Sequence, residues 1–327
     1  MGRARRALAL SGALILGLLA APLDALAQSA RVYHVGVVLL GGPYSTAVDG
    51  LREGLRELGF EEGKQFVLQV RDGKSDFKLV EAAARSFEGA GVDLIYAVGS
   101  SVAVTVKRST KSVPIVFHSG VDPVSIGLVE NFRKPGGRLT GLHSQSRDLM
   151  PKRLELLKEM VPTLRRVVTF YNPDSPAGRA IETARHAAHE LKLELVERRV
   201  ASVEQLRASL RALRPGEADA IFYAGDALVS SQAQLVIETA KAKKLPTMLQ
   251  EEASVAMGAL ASYGVSYHTI GRFSAKQVHR ILLGARPGDL PVEQLDRLHF
   301  AINLKTAKAI GLTIPPAVLA LADEVIQ

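Results

Sequence analysis

Residues 34–43 read His-Val-Gly-Val-Val-Leu-Leu-Gly-Gly-Pro, an apolar run closed by a glycine pair and a proline. Apolar residues without polar alternation are the pattern of a strand buried on both faces, and Gly41-Gly42-Pro43 turns the chain out of it. The period then changes. Val48, Leu51, Leu55 and Leu58 fall at helical spacing, ended by Gly59. Phe66 to Val70 alternates as a strand, Leu79 to Phe87 is helical, and Val92 to Val98 (VDLIYAV) returns to strand. Val102 to Val106 belongs to a short helix, and Pro114 to Phe117 (PIVF) is the next strand. Strand–helix alternation of this kind is the signature of a parallel, doubly wound α/β sheet covered by helices on both faces.

The pattern occurs twice. Arg166 to Tyr171 (RVVTFY) corresponds to the opening strand, and Leu193 to Glu197 to Phe66 to Val70. Ala218 to Ala224 (ADAIFYA) answers Val92 to Val98, and Pro246 to Leu249 (PTML) answers PIVF. The first and last pairs share one shift of 132 residues (34 to 166, 114 to 246). Two α/β lobes of one plan are therefore expected, consistent with 327 residues at roughly 100–200 per domain.

Composition narrows the function. The chain has no cysteine, which excludes disulfides, thiolate metal sites, iron–sulfur clusters and a cysteine nucleophile. It has no tryptophan and only ten Phe and seven Tyr, a poor basis for a nucleic-acid stacking platform. The net charge of +8 is spread along the chain; its densest cluster, Lys241, Lys243 and Lys244, reads as a solvated helical face.

Residues 1–27 read as a secretory signal peptide. Arg3, Arg5 and Arg6 precede an uncharged stretch from Ala7 to Ala21, and Ala25-Leu26-Ala27 gives a small-x-small cleavage pattern, with the cut expected after Ala27. The apolar stretch is short of the roughly 20 residues a spanning helix needs, and a retained membrane anchor is the alternative reading. No later segment has 18 uncharged apolar residues, so no membrane span is expected after cleavage. The expected location is the bacterial periplasm.

In doubly wound sheets, ligands bind beyond the carboxyl ends of the strands. Two such lobes facing each other enclose a cleft, and hinge closure buries what enters it. After the first strand stand Tyr44 and Ser45, and after Val98 come Ser100 and Ser101, which open a helix; its free N–H groups can seat an anion such as a carboxylate, or Ser100 caps the helix itself. After Phe117 come Ser119 and Asp122; Asp122 either takes a ligand ammonium or fixes the turn before Pro123. In the second half Asn172 follows a strand, and Asp226 stands between strand and helix, where a carboxylate caps the helix or takes a ligand amine. Glu251 and Glu252 point opposite ways on an extended chain, so at most one enters the cleft.

No phosphate-binding glycine loop, nucleophile elbow or His-Glu-x-x-His motif occurs, and no catalytic residue, metal site or cofactor is expected. His186 and His189 read as a solvated helix face, and His118 and His143 as cleft-lining or structural.

Several stretches resemble one bacterial family. They are Pro114 to Val124 with Gly127-Leu128-Val129, Lys134 to Gly141, Tyr171-Asn172-Pro173, Ala253 to Leu260, Gly271-Arg272 and Ile302 to Ala307. The family is the ABC-transporter substrate-binding proteins that include tryptophan- and tyrosine-type binders, built on the type I periplasmic binding fold. The resemblance implies a periplasmic receptor that captures a small ligand, an amino acid or similar small carboxylate, and delivers it to a membrane permease. It implies three crossovers, with one lobe at 31–143 plus 264–294 and the other at 144–263 plus 295–327. It places the ligand among Tyr44, Ser45, Ser100, Ser101, Ser119, Asp122, Asn172, Asp226 and Glu252. A periplasmic sensing subunit for a signalling system is the alternative expectation, and a periplasmic enzyme a more distant one; nucleic acid is not an expected partner.

Overall fold

A computed structural model describes residues 31–327 apart from 145, 147, 177, 179 and 180; the expected signal peptide at 1–27 lies outside the described residues. The first half runs β1 (Tyr33–Leu39), α1 (Thr46–Glu57), β2 (Phe66–Asp72), α2 (Phe77–Ala90), β3 (Leu94–Val98), α3 (Ser100–Ser109), β4 (Ile115–Ser119) and β5 (Leu139–His143). The second runs α4 (Met150–Met160), β6 (Arg166–Tyr171), α5 (Ile181–Glu190), β7 (Glu194–Arg199), α6 (Val203–Ala212), β8 (Ala220–Phe222), α7 (Ala227–Ser231), α8 (Ala233–Ala242), β9 (Thr247–Leu249), α9 (Glu252–Ala256) and β10 (Ala261–Gly264). The chain ends with α10 (Tyr267–Leu282), β11 (Glu293–Gln294), β12 (His299–Asn303), α11 (Leu304–Ile310), α12 (Pro316–Leu319) and β13 (Glu324–Ile326).

Two sheets result. The first has the order β11-β5-β4-β3-β1-β2 and the second β13-β12-β10-β9-β8-β6-β7. All pairings are parallel except β10 with β12. The duplicated strand pattern is thus the duplicated core of two doubly wound lobes. The apolar run of β1 is buried from Val35 to Leu39, as a strand with helices on both faces must be. The helix beginning after Gly99 is longer than its apolar residues suggested, at ten residues.

The chain passes between the sheets three times: after β5, after β10 and between β11 and β12. The second passage brings α10 back onto the first lobe, where it lies against α1. This contact is backbone on backbone. A Cβ on Gly50 would fall 1.9 Å from His268 O, one on Gly271 1.9 Å from Ala47 O, and one on Gly54 2.3 Å from Arg272 O. Three glycines on facing helices let the axes approach more closely than any side chain permits. Among the described residues no helix is long and apolar enough to cross a membrane.

Gly271→Ala should therefore force the two helices apart and destabilise the fold by roughly 1–3 kcal/mol or more. A urea-unfolding midpoint equal to the parent's would show that the contact yields without cost.

Candidate ligand-binding cleft

A cavity of about 460 Å³, counted out to its mouth, lies between the two lobes. From the first lobe it is walled by Tyr44, the start of α3, His118 and Gly120; from the second by Met150, Tyr223, Gly225 and Gln250. Gly41 and Gly42, both at positive φ, turn the chain after β1 into a short 3-10 segment that buries Tyr44 against Tyr267, with ring centroids 4.5 Å apart. Gly99, at φ 104, lets α3 begin directly at the end of β3. Because glycine has no side chain, no oxygen caps the first turn of α3, and the amides beside Ser100 and Ser101 stand uncapped at the cavity wall. Ser100 Oγ lies 2.9 Å from Ser119 Oγ and accepts the Gly120 N–H at 3.1 Å, tying the loop after β4 to this turn.

The lobes touch at the rim. A Cβ on Gly42 would come within 2.9 Å of Ser230 O, and Ser75 Oγ meets Ser231 Oγ at 2.7 Å while accepting from Gln232 Nε2 at 2.7 Å.

Behind the cavity runs a buried polar chain. Arg153 has no solvent exposure; Nε donates to Tyr263 O at 2.6 Å, Nη1 to Ser146 O at 2.9 Å and Nη2 to Ser146 Oγ at 3.2 Å. Ser146 donates to Gln250 Oε1, and Gln250 Nε2 donates to Glu251 Oε1 at 2.7 Å and Tyr267 Oη at 3.3 Å. Burial pushes the Glu251 carboxyl up to about 8, against the hydrogen bonds of Gln250 and Tyr267 and the charge of Arg153. Burial likewise raises Tyr44 to about 12, lowers Arg153 to about 10 and lowers His118 to about 3. At neutral pH the cavity wall thus carries a neutral imidazole and neutral phenols.

The residues singled out in the sequence separate into two groups. Tyr44, Ser100 and Ser101 line the cavity, with Ser119 directly behind Ser100. The others have different partners. Ser45 is exposed, its hydroxyl on Gly42 O at 3.0 Å. Asp122 is exposed, and its Oδ1 accepts Val124 N–H at 2.8 Å, the turn reading of an acid before proline. Asn172 Oδ1 accepts from Asp174 N–H at 3.0 Å, fixing its own loop. Asp226 is buried and already spent: Oδ1 accepts from Leu228 and Val229 at the head of α7, and Oδ2 from Asn172 N–H and Ser175 Oγ. Glu252 is not part of the cavity wall and lies beside His299, while its neighbour Glu251 is the buried acid.

Sequence reading missed Arg153, Tyr223 and Tyr267, and of the strand-end run Gln250-Glu251-Glu252 it chose Glu252 rather than its two buried neighbours. A signal for Arg153 existed: it lies three residues after Met150 and four before Leu157, on the buried face of α4.

Comparison with known proteins places this geometry. The family described as ABC transporter substrate binding protein matches residues 34–326, and the chain belongs to that family, with the type I periplasmic binding fold. A relative from Clostridioides difficile (strain R20291) named a tyrosine-binding protein is 28% identical over 267 residues, covering 81% of this chain and 76% of its own. An ABC domain from Streptococcus pneumonia, solved in complex with L-Trp, superposes with a TM-score of 0.81 at 24% identity, covering 90% of this chain and 100% of its own. The ligand-free, open structure of a substrate binding protein with adhesive properties from Clostridium difficile gives 0.60, also at 24% identity, with 90% and 99% covered.

Two outcomes follow from the buried acids. Asp226→Ala removes a helix cap and leaves buried donors unpaired, so it should cost about 2–4 kcal/mol of stability, whereas Asp122→Ala should cost under about 1 kcal/mol. Chemical denaturation of both variants checks the contrast. Glu251 has a raised folded-state pKa, so the stability tied to its protonated form is full below pH 4.5 and is lost as pH rises towards 8. Glu251→Gln should therefore gain stability relative to the parent across pH 5–8; parallel stability–pH curves would refute the buried, protonated acid.

Proposed function

We propose that the chain is the extracytoplasmic solute receptor of an ABC importer, binding a small carboxylate ligand, an amino acid foremost, and releasing it to a membrane permease. The observation that carries this reading is the uncapped first turn of α3 facing a wall of tyrosines across an inter-lobe cavity. Amides at a helix start suit a carboxylate. Tyr44, Tyr223 and Tyr267 supply broad apolar faces for a side chain. The tyrosine-binding name of the relative and the L-Trp in the structural neighbour agree with an aromatic amino acid.

Closure by rigid lobes, 31–143 plus 264–294 against 144–263 plus 295–327, is part of the proposal. Two structures of equal identity and similar coverage superpose very differently, 0.81 for the L-Trp complex and 0.60 for the open form. Rotation of one lobe against the other produces such a difference while leaving each lobe unchanged. The Ser75–Ser231 and Gln232–Ser75 contacts would then form only on closure. Cleavage after Ala27 and residence in the periplasm complete the reading.

Binding without chemistry fits the cavity. His118 Nε2 lies 3.0 Å from Ser144 Oγ, but His118 Nδ1 has no partner among the described residues and burial holds the ring at about 3. A serine beside so weak a base, with no acid behind it, is not an activated nucleophile.

Isothermal titration with L-tyrosine and L-tryptophan tests the site. Ser101→Asp places a negative charge at the head of α3 and should weaken binding at least 100-fold, roughly 3 kcal/mol. Unchanged affinity in Ser101→Asp would remove the carboxylate from this end of the cavity.

A further inference from the structure

A second cluster of chemistry-bearing side chains lies outside the cleft wall. Glu252 opens α9, His299 opens β12 at the end of the third crossing, and Glu324 opens β13. The topology brings them together. Strand β12 runs antiparallel to β10 and parallel to β13, so the amino ends of β12 and β13 share an edge of the sheet with the carboxyl end of β9. One ligand atom from each residue lies within 4.8 Å of the others.

Three features distinguish this cluster from an ordinary polar surface. His299 Nδ1 is shielded from solvent and has no hydrogen-bond partner among the described residues, a buried polar atom that calls for one. It faces Glu252 Oε2 at 4.0 Å, the ion-pair contact of Glu252. Among the described residues neither Glu252 nor Glu324 has a lysine or arginine within ion-pair distance, although basic residues outnumber acidic ones in this chain. The side chains of Glu252 and His299 are 41% and 30% exposed, which leaves a path for a hydrated cation.

We propose that Glu252, His299 and Glu324 form a divalent transition-metal site, with Zn²⁺ the fitting ion, that staples the C-terminal strand and the third crossing to the cleft-side rim of the second sheet. One imidazole and two carboxylates supply three ligands and leave a fourth position for water. The imidazole selects against Ca²⁺ and Mg²⁺, which take oxygen ligands. Zinc bonds of about 2.0–2.2 Å require the donors to draw together by about an ångström. Rotation of the two glutamate side chains provides that movement without a change of backbone. The site is independent of the proposed solute: no cavity-lining residue contributes a ligand.

The test uses tag-free full chain stripped with EDTA and then freed of chelator, titrated with ZnCl₂ by calorimetry and by thermal shift, with CaCl₂ and MgCl₂ in parallel. The expected result is one zinc per chain and a rise in Tm with Zn²⁺ alone. His299→Gln and Glu324→Gln should each weaken zinc binding at least tenfold, and together abolish the Tm rise. Glu324 is exposed, so Glu324→Gln keeps the test open should His299→Gln fail to fold. No zinc-dependent rise in the parent, a rise of equal size in both variants, or an equal response to Ca²⁺ would each overturn the assignment.

Discussion

A guanidinium without solvent contact fastens the chain at two of its passages between the sheets. Arg153 donates to the Ser146 carbonyl just after the first crossing and to the Tyr263 carbonyl just before the second. A buried charge is tolerated only when its donors are paired. Here the pairing is with the backbone of the crossings themselves and with the Ser146 hydroxyl. The position of the crossings fixes where α10 docks, and α10 contributes Tyr267 to the cavity. The side chain that fastens these passages does not itself line the cavity.

The cavity combines two kinds of polar supply. The first lobe offers backbone amides at a helix start, which need no titration and keep their polarity at any pH. The same lobe also offers Tyr44 and His118, whose ionisation burial has suppressed, and Glu251 of the second lobe, behind the wall, is likewise held neutral. A ligand entering such a cavity would meet fixed dipoles and neutral hydrogen-bonding groups rather than a fixed charge on the described wall.

Much of the architecture was legible because period and repetition are local. The apolar runs at 34–40 and 166–171 marked the first strand of each sheet, one place in from its edge, and their equal spacing from PIVF and PTML marked the duplication. The site was harder to read, because sequence shows which residues stand at strand ends but not which way they turn. Asp226 and Asp122 occupy strand-end loops, yet their carboxylates are consumed by N–H groups two and three residues on, the local bonding that short acids favour. Glu251 and Glu252 part company because α9 begins between them, and the buried partner is the one that precedes the helix. Tyr267 was out of reach for a different reason: it comes to the cavity from a segment that leaves one lobe and joins the other.

The placement of aromatic rings has an optical consequence. Three of the chain's seven tyrosines wall the cavity, and the chain has no tryptophan to mask them. The hydroxyl of Tyr223 is bonded to Asp226 O at 2.8 Å, and the Tyr44 and Tyr267 rings pack together. Opening the lobes would wet these phenols and alter their emission, so the proposed closure has an intrinsic fluorophore at its seam. An indole-bearing guest seated among them would act as an energy-transfer acceptor, reporting its own arrival without any label.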